Sequence, residues 1–201
     1  MKLILDFDDV IFNAQTFKDL MFFFLKERGI QHGEDVYREM RKSDQLFSVA
    51  KYIERLHIPE SDKEEVYEGI MTPAEWLVKE EMLSVFDFVE KENVFIVSQG
   101  DEGFQRDKIE RALGDRVPQS HVVIVPGTKK HEIQHICELY KDEEVVFVDD
   151  KTLFLDDLPL QDIPNLTAIL FDEYGSVTLK KALQEAKDRE EIPVEQRVLK
   201  V

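Results

Sequence analysis

Three aspartates, Asp6, Asp8 and Asp9, follow an apolar run near the start of the chain. An unbroken apolar run is typical of a strand buried on both faces, as in parallel sheets, so these carboxylates stand at the carboxyl end of a predicted strand. Residues two apart project to the same side of an extended segment, which lets Asp6 and Asp8 reach one cation or one reacting group. An acidic turn that caps a helix is the alternative interpretation.

Polar side chains also follow two later apolar runs and open one predicted helix; they are Ser98, Asp149, Asp150 and Lys130. Because the carboxyl ends of parallel strands lie at one edge of a sheet, we expect this set to converge on one site with the first aspartates. Three or four carboxylate oxygens around one point suit a hard cation, for which Mg²⁺ is the usual choice. A lysine and a hydroxyl beside it suit a phosphoryl group, whose oxygens need charge neutralisation during transfer.

The order of predicted elements indicates an α/β fold. Apolar runs predict five strands, at residues 2–5, 94–97, 121–125, 145–148 and 166–171. Alternation of the later strands with helices is typical of βαβ units and of a doubly wound parallel sheet. Between the first two strands the pattern is helical only. We therefore expect an α/β core at residues 1–12 and 81–201 and an inserted α-helical subdomain at residues 13–80.

Periodicity and capping patterns predict the helices, which lie at residues 15–28, 35–41, 45–56, 102–113, 130–140 and 176–187. Ser61 and Thr72 each start a capping-box pattern, and Pro73 follows Thr72 at a position that suits the first turn of a helix. The middle of the 15–28 helix is apolar nearly all round, which indicates deep packing or a covering partner surface.

Composition excludes several classes of protein. The chain has 201 residues, 43% of them hydrophobic, and a formal net charge of −17. That charge argues against general affinity for nucleic acid or anionic membrane, and it requires any phosphate site to be locally positive. The single cysteine, Cys137, cannot form an internal disulfide, and the longest apolar run, residues 20–25, is too short to span a bilayer. We therefore expect a cytoplasmic protein.

The four motifs together resemble those of the haloacid dehalogenase superfamily of phosphohydrolases, whose members in one subgroup carry an α-helical cap. In chain order the matches are Asp6-Phe7-Asp8, Ser98, Lys130 (with Lys129 as the alternative) and Asp149-Asp150. Order and spacing agree across residues 2–172. Residues 99–101 with Gln105 and Lys108 also resemble the segment after the second motif in sugar-phosphate and nucleotide phosphatases of the group.

The resemblance implies a mechanism and a ligand set. Asp6 would be the nucleophile that forms an aspartyl-phosphate, and Asp8 would protonate the leaving oxygen and then activate water. The implied Mg²⁺ ligands are Asp6, Asp8 (through its backbone carbonyl), Asp149 and Asp150. The implied phosphate-binding residues are Ser98, Gln99 and Lys130. Dehalogenases of the superfamily lack an acid two residues after the nucleophile, so Asp8 favours phosphate chemistry.

The expected substrate is a small phosphorylated metabolite, a sugar phosphate or a nucleotide, and the expected state is a monomer or homodimer without nucleic-acid or membrane partners. Two departures from the family pattern are present. Asp9 stands where the family often has glycine, and Leu153 and Phe154 occupy the region where an acid or asparagine usually follows the acidic pair. We expect either Asp150 or Asp156 to compensate for the second departure.

Other functions remain open at this point. His131 and His135 with Glu132 spell HExxH, which on a helix can bind Zn²⁺ and supply a general base, although no third ligand is identifiable. A catalytically idle relative would bind a phosphorylated ligand or a partner protein. A signalling receiver also uses an acidic pair and a lysine, but in a different order and without a helical insertion. A phosphotransferase would deliver the phosphoryl group to an acceptor other than water.

Overall fold

The computed structural model describes residues 1–43, 45–171, 179, 181, 183–184 and 198–200. The predicted 176–187 helix therefore lies largely outside the described residues, as does most of the tail that follows it. None of the helices in the described ranges is long and apolar enough to cross a lipid bilayer.

A parallel sheet forms the centre of the molecule. Its strands are β1 (Lys2–Leu5), β2 (Val94–Gln99), β3 (Val122–Val125), β4 (Val145–Asp149), β5 (Leu166–Leu170) and β6 (Val198–Lys200). They lie in the order β3-β2-β1-β4-β5-β6, and every neighbouring pair is parallel. The five predicted strands are thus confirmed. β1 lies in the middle, with Leu5 opposite Ile96 of β2 and Val148 of β4, so the ends of these three strands adjoin.

Eight α-helices are described: α1 (Ala14–Glu27), α2 (Gly33–Lys42), α3 (Val49–Arg55), α4 (Lys63–Met71), α5 (Glu80–Phe88), α6 (Glu102–Leu113), α7 (Lys130–Leu139) and α8 (Thr152–Asp156). Alternate strand residues pack into different clusters: Leu3 and Leu5 contribute to one, and Ile4 contributes to the other. Helices therefore cover both faces of the sheet, which confirms the doubly wound α/β architecture.

Two predicted helix starts are wrong. Thr72 is not an N-cap, because residues Thr72–Trp76 continue directly from α4 as a 3-10 helix and the Thr72 hydroxyl donates back to the Glu68 carbonyl at 2.8 Å. Ser61 lies inside a short 3-10 turn, and α4 begins two residues later. In both places the preceding turn already continues the helical path, so the hydroxyl has no free helix end to cap.

The helices between β1 and β2 leave the sheet and return to it at one place. Asn13 N donates to Leu77 O at 2.9 Å, and Lys79 N donates to Ile11 O at 2.8 Å. Phe12 and Val78 form an isolated antiparallel bridge between these two crossings. The crossings lie at residues 11–13 and 77–79; the expected inserted subdomain is residues 13–80. We call residues 13–80 the inserted helices.

The inserted helices pack through one face of α1. Phe17, Met21 and Leu25 are buried at helical spacing, whereas Phe23 is 62% exposed. Gly69 of α4 leaves room for Phe24, because a Cβ there would lie 2.1 Å from the phenyl ring. The phenylalanine-rich middle of α1 is therefore packed within the chain on most of its circumference, and it leaves Phe23 in solvent.

Candidate active site

The loop after β1 turns back on itself around Phe7. Ile11 N and Phe12 N both donate to the Phe7 carbonyl, at 3.0 and 2.9 Å. Asp9 has φ = 63°, the left-handed conformation that glycine adopts most readily and that aspartate tolerates better than most residues. The departure from glycine at this position is thus compatible with the tight turn.

Lys129 lies between the two buried aspartates of the sheet edge. Its Nζ is 2.8 Å from Asp6 Oδ1 and 2.6 Å from Asp149 Oδ2, and the side chains of all three residues are nearly inaccessible to solvent. Lys130, the lysine that we expected here, is instead directed elsewhere, with its Nζ 3.8 Å from Asp157 Oδ1. Lys129 precedes the first turn of α7, so consecutive side chains project in different directions and only one of them faces the strand ends.

Burial and mutual repulsion shift the ionisation of these carboxyl groups. Burial raises the pKa of Asp6 to about 6; the Lys129 ammonium opposes this rise, and the Asp149 carboxylate adds to it. Burial also raises the pKa of Asp149, again against the effect of Lys129. A single lysine therefore does not balance the two buried carboxylates, and the site favours additional positive charge.

A third carboxylate completes a group that can hold a metal ion. Carboxylate oxygens of Asp6, Asp149 and Asp150 lie within 4.8 Å of one another. Asp150 Oδ1 is buried and accepts no hydrogen bond from any described residue, so one acceptor of the group remains unsatisfied. Hard oxygen donors with an unsatisfied acceptor fit a divalent cation such as Mg²⁺. Of the two aspartates considered for compensation, Asp150 belongs to this group, whereas Asp156 lies on the exposed side of α8.

The HExxH segment has no comparable arrangement. It lies on α7 as predicted, but His131 and His135 are both exposed. Within the described ranges, the three aspartates at the sheet edge are the one group of three or more histidine, cysteine or acidic residues close enough to share an ion. The described structure therefore offers no third protein ligand for zinc at this segment.

Asp8 faces α6 rather than the three-carboxylate group. Lys108 Nζ lies 2.6 and 2.9 Å from the two Asp8 carboxylate oxygens, and Gln105 Nε2 donates to Oδ2 at 2.8 Å. Burial alone would raise the pKa of Asp8, but the Lys108 ammonium and these hydrogen bonds hold it below the usual value. Asp6 and Asp8 therefore have opposite shifts although they are two residues apart.

Gln105 connects Asp8 with the end of β2. Its Nε2 is also 3.2 Å from Ser98 Oγ and 3.2 Å from the carbonyl of Gln99. Ser98 is buried, while Gln99 is exposed and lines the cavity described below. Gly100 permits this contact, since a Cβ there would lie 2.6 Å from Gln105 Cγ.

A cavity of about 350 Å³ opens beside these residues. The sheet edge and α6 supply one side of it, with Asp8, Gln99, Gln105 and Lys108. The inserted helices supply the other side. Six of the expected site residues lie at this edge of the sheet: Asp6, Asp8, Ser98, Gln99, Asp149 and Asp150. Lys130 does not lie there.

The sequence reasoning did not single out Lys151. Its Nζ is 3.8 Å from Asp150 Oδ1, and the residue lines the cavity. Burial would lower the pKa of Lys151, but the carboxylates of Asp6 and Asp150 outweigh that effect and raise it. The available signal was its position, directly after the acidic pair at a strand end.

Neither a protein-family model nor a curated protein matches the sequence significantly. Solved structures do match it. A protein described as a haloacid dehalogenase-like hydrolase, from Burkholderia xenovorans LB400, superposes with a TM-score of 0.64 and 20% identity over 99% of this chain and 90% of that one. A haloacid dehalogenase-like family hydrolase from Xanthomonas campestris gives a TM-score of 0.52 and 15% identity over 94% and 99% of the two chains.

A 2-haloacid dehalogenase from Pseudomonas syringae pv. Tomato DC3000 gives a TM-score of 0.54 and 12% identity, over 92% of this chain and 99% of that one. All three similarities extend over nearly the whole chain, including the inserted helices. The sheet order, the helical insertion after β1 and these superpositions agree: the chain has the haloacid dehalogenase-like fold.

Proposed function

We propose that the chain is a haloacid dehalogenase-type phosphatase that hydrolyses a small phosphomonoester with Mg²⁺ bound at Asp6, Asp149 and Asp150. The observation that carries this proposal is the pair Asp6 and Asp8 at the end of β1. Asp6 belongs to the three-carboxylate group, and Asp8 lines a cavity large enough for a small ligand. The proposal gives Asp6 the role of nucleophile and Asp8 the role of acid–base group.

In the first step a carboxylate oxygen of Asp6 attacks phosphorus, and the bond from phosphorus to the alcohol oxygen breaks. The alcohol oxygen takes a proton from Asp8 as it leaves, which produces the free alcohol and an aspartyl-phosphate. This step requires Asp8 to be protonated in the substrate complex, although Lys108 lowers its pKa in the free protein. In the second step Asp8 accepts a proton from water, which attacks phosphorus, releases inorganic phosphate and restores Asp6.

The neighbouring side chains position these groups. Lys108 and Gln105 hold Asp8 through three hydrogen bonds, which fixes the direction of its carboxylate. Ser98 and Lys129 hold phosphoryl oxygens, with Lys129 in the role that the resemblance gave to Lys130. Bound Mg²⁺ would supply further neutralisation of the phosphoryl charge.

Dehalogenation is the second candidate, because a 2-haloacid dehalogenase shares the fold. Such a reaction needs the Asp6 nucleophile but no acid for a leaving alcohol. Asp8 lies two residues after Asp6 and lines the cavity, where a phosphomonoester reaction has a use for an acid–base group. The arrangement therefore favours a phosphomonoester substrate.

The test is release of inorganic phosphate from a panel of phosphomonoesters, with Mg²⁺ or with EDTA, by the wild-type protein and Asp6→Asn. We expect turnover that requires Mg²⁺ and falls at least about 10³-fold in the variant. The amide preserves the shape of the side chain, so circular dichroism should show an unchanged fold.

Chloride release from 2-chloropropionate is measured in parallel. Phosphate release that persists in Asp6→Asn would contradict the assignment of the nucleophile. Chloride release without phosphate release would replace the proposal with the dehalogenase alternative. Binding of phosphate esters without any turnover would point to the catalytically idle alternative.

A further inference from the structure

The wall of the cavity that faces the sheet edge carries two cations, Lys18 from α1 and Arg41 from α2. Both belong to the inserted helices, whereas the reacting groups belong to the sheet edge. A phosphoryl group bound at Asp6 therefore leaves the rest of the substrate directed towards this wall. The chemistry of the wall then decides which alcohol portion is accepted.

The cavity is positive in a strongly negative protein. Its lining contains four lysines and arginines and two aspartates, whereas the whole chain has 26 basic and 43 acidic residues. Two of the four cations have carboxylate neighbours at the sheet edge: Lys108 pairs with Asp8, and Lys151 lies 3.8 Å from Asp150. The remaining two are Lys18 and Arg41.

Neither of these two is matched by a carboxylate in the part of the chain that the structure describes. The Lys18 ammonium donates to the side-chain carbonyl of Gln15, which is neutral. Arg41 forms no ion pair with any described residue, although its neighbour Arg38 pairs with Asp35 at 3.2 Å. Two cations without an acidic partner among the described residues constitute a locally positive subsite at this wall, which the overall charge of −17 makes necessary for any second anion.

We propose that the substrate carries a second anionic group, a carboxylate or a second phosphate, which Arg41 and Lys18 bind at the cavity wall formed by the inserted helices. This inference rests on the proposed phosphatase function. The planar guanidinium of Arg41 suits both anions, because its donors match two oxygens of either group.

The size and the remaining lining limit the alcohol portion. A volume of about 350 Å³ is near the lower end of the range of small-molecule sites. Phe17 and Phe104 are at most 9% exposed, and Phe47 packs edge-on against Phe104 with ring centroids 5.7 Å apart. These rings form an apolar part of the cavity lining. A short acyclic chain between the two anions fits better than a nucleoside.

The experiment compares esters that share a three-carbon chain. Propyl phosphate has a neutral end, 3-phosphonooxypropanoate ends in a carboxylate, and propane-1,3-diol bisphosphate ends in a second phosphate. Phenyl phosphate supplies an aromatic alternative. We expect kcat/KM for at least one of the two esters with an anionic end to exceed that for propyl phosphate at least tenfold.

The preference is then measured in variants. The selectivity ratio is kcat/KM for the preferred ester divided by kcat/KM for propyl phosphate. Arg41→Gln should decrease this ratio about tenfold, the value expected for one charge-assisted hydrogen bond. Arg38→Gln is the matched control: it lies three residues earlier on α2, is well exposed and does not line the cavity, so its ratio should equal that of the wild type.

The outcomes separate the two proposals. Turnover of propyl or phenyl phosphate as efficient as that of the anionic esters would overturn this inference and leave the phosphatase function standing. An Arg41→Gln protein with the wild-type ratio would overturn the role of Arg41. Hydrolysis of no ester at all would overturn the proposed function, and with it this inference.

Discussion

The sheet edge and the inserted helices both present charged groups to one cavity, but they differ in burial. Asp6, Lys129 and Asp149 are at most 2% exposed, and each contacts another member of the set. The cations of the inserted helices, such as Arg41, are accessible to solvent. Buried charges are costly to leave unpaired, whereas exposed ones change at little cost. Replacement of a buried member of the first set should therefore cost more stability than replacement of an exposed cation of the inserted helices.

The same contrast separates the ion pairs that join the two regions. Arg111 of α6 pairs with Glu68 of α4 at 2.7 Å, and Lys51 of α3 pairs with Asp101 at 2.8 Å. Glu68 is 51% exposed on its side chain, so solvent screens this contact. Contacts of this kind hold the inserted helices against α6 without the penalty that buried charges impose.

Replacement of Lys129 should have the largest effect. Lys129→Met leaves two buried carboxylates side by side, which costs about 3–5 kcal/mol of unfolding free energy in EDTA, and it abolishes turnover. Lys130→Met is the control and should change the unfolding free energy by no more than about 0.5 kcal/mol. Urea unfolding and phosphate release measure both. Equal losses of unfolding free energy in the two variants would contradict the expectation that the buried charges contribute more to stability than the exposed ones.

Removal of a candidate metal ligand should have an intermediate effect. Asp150→Asn withdraws one charge from the three-carboxylate group, so we expect its affinity for Mg²⁺, measured by titration calorimetry, to fall at least about tenfold. Asp156→Asn, on the exposed side of α8, should bind Mg²⁺ as the wild type does. A wild-type affinity in Asp150→Asn would remove Asp150 from the ligand set.

Loss of a contact between the two regions should have the smallest effect. Arg111→Gln removes the pair with Glu68 of α4 and a second pair with Asp107 of α6, and we expect a decrease of about 1 kcal/mol or less in unfolding free energy. Arg106→Gln, which breaks a pair confined to α6, is the control. A loss of several kcal/mol in Arg111→Gln alone would mean that the inserted helices depend on this contact for their position, contrary to the comparison above.

Local pattern was sufficient for the sheet and for most of the site. The strands after which Asp6, Ser98 and Asp149 stand are unbroken apolar runs, and burial on both faces requires such runs irrespective of the rest of the fold. Parallel pairing then brings their ends together. The helix starts at Ser61 and Thr72 were wrong because a capping pattern does not reveal whether the preceding turn is already helical.

What the sequence by itself determined is thus the order of the five central strands and the aspartates at the strand ends. Only the tertiary structure decided that Lys129, and not Lys130, reaches those aspartates. Successive residues at the start of a helix differ by about 100° in direction, and the local sequence does not determine the rotation of α7 about its axis. The same holds for Lys108, Lys151 and Arg41. Each reaches the cavity through the packing of its element, which depends on contacts distant in the chain.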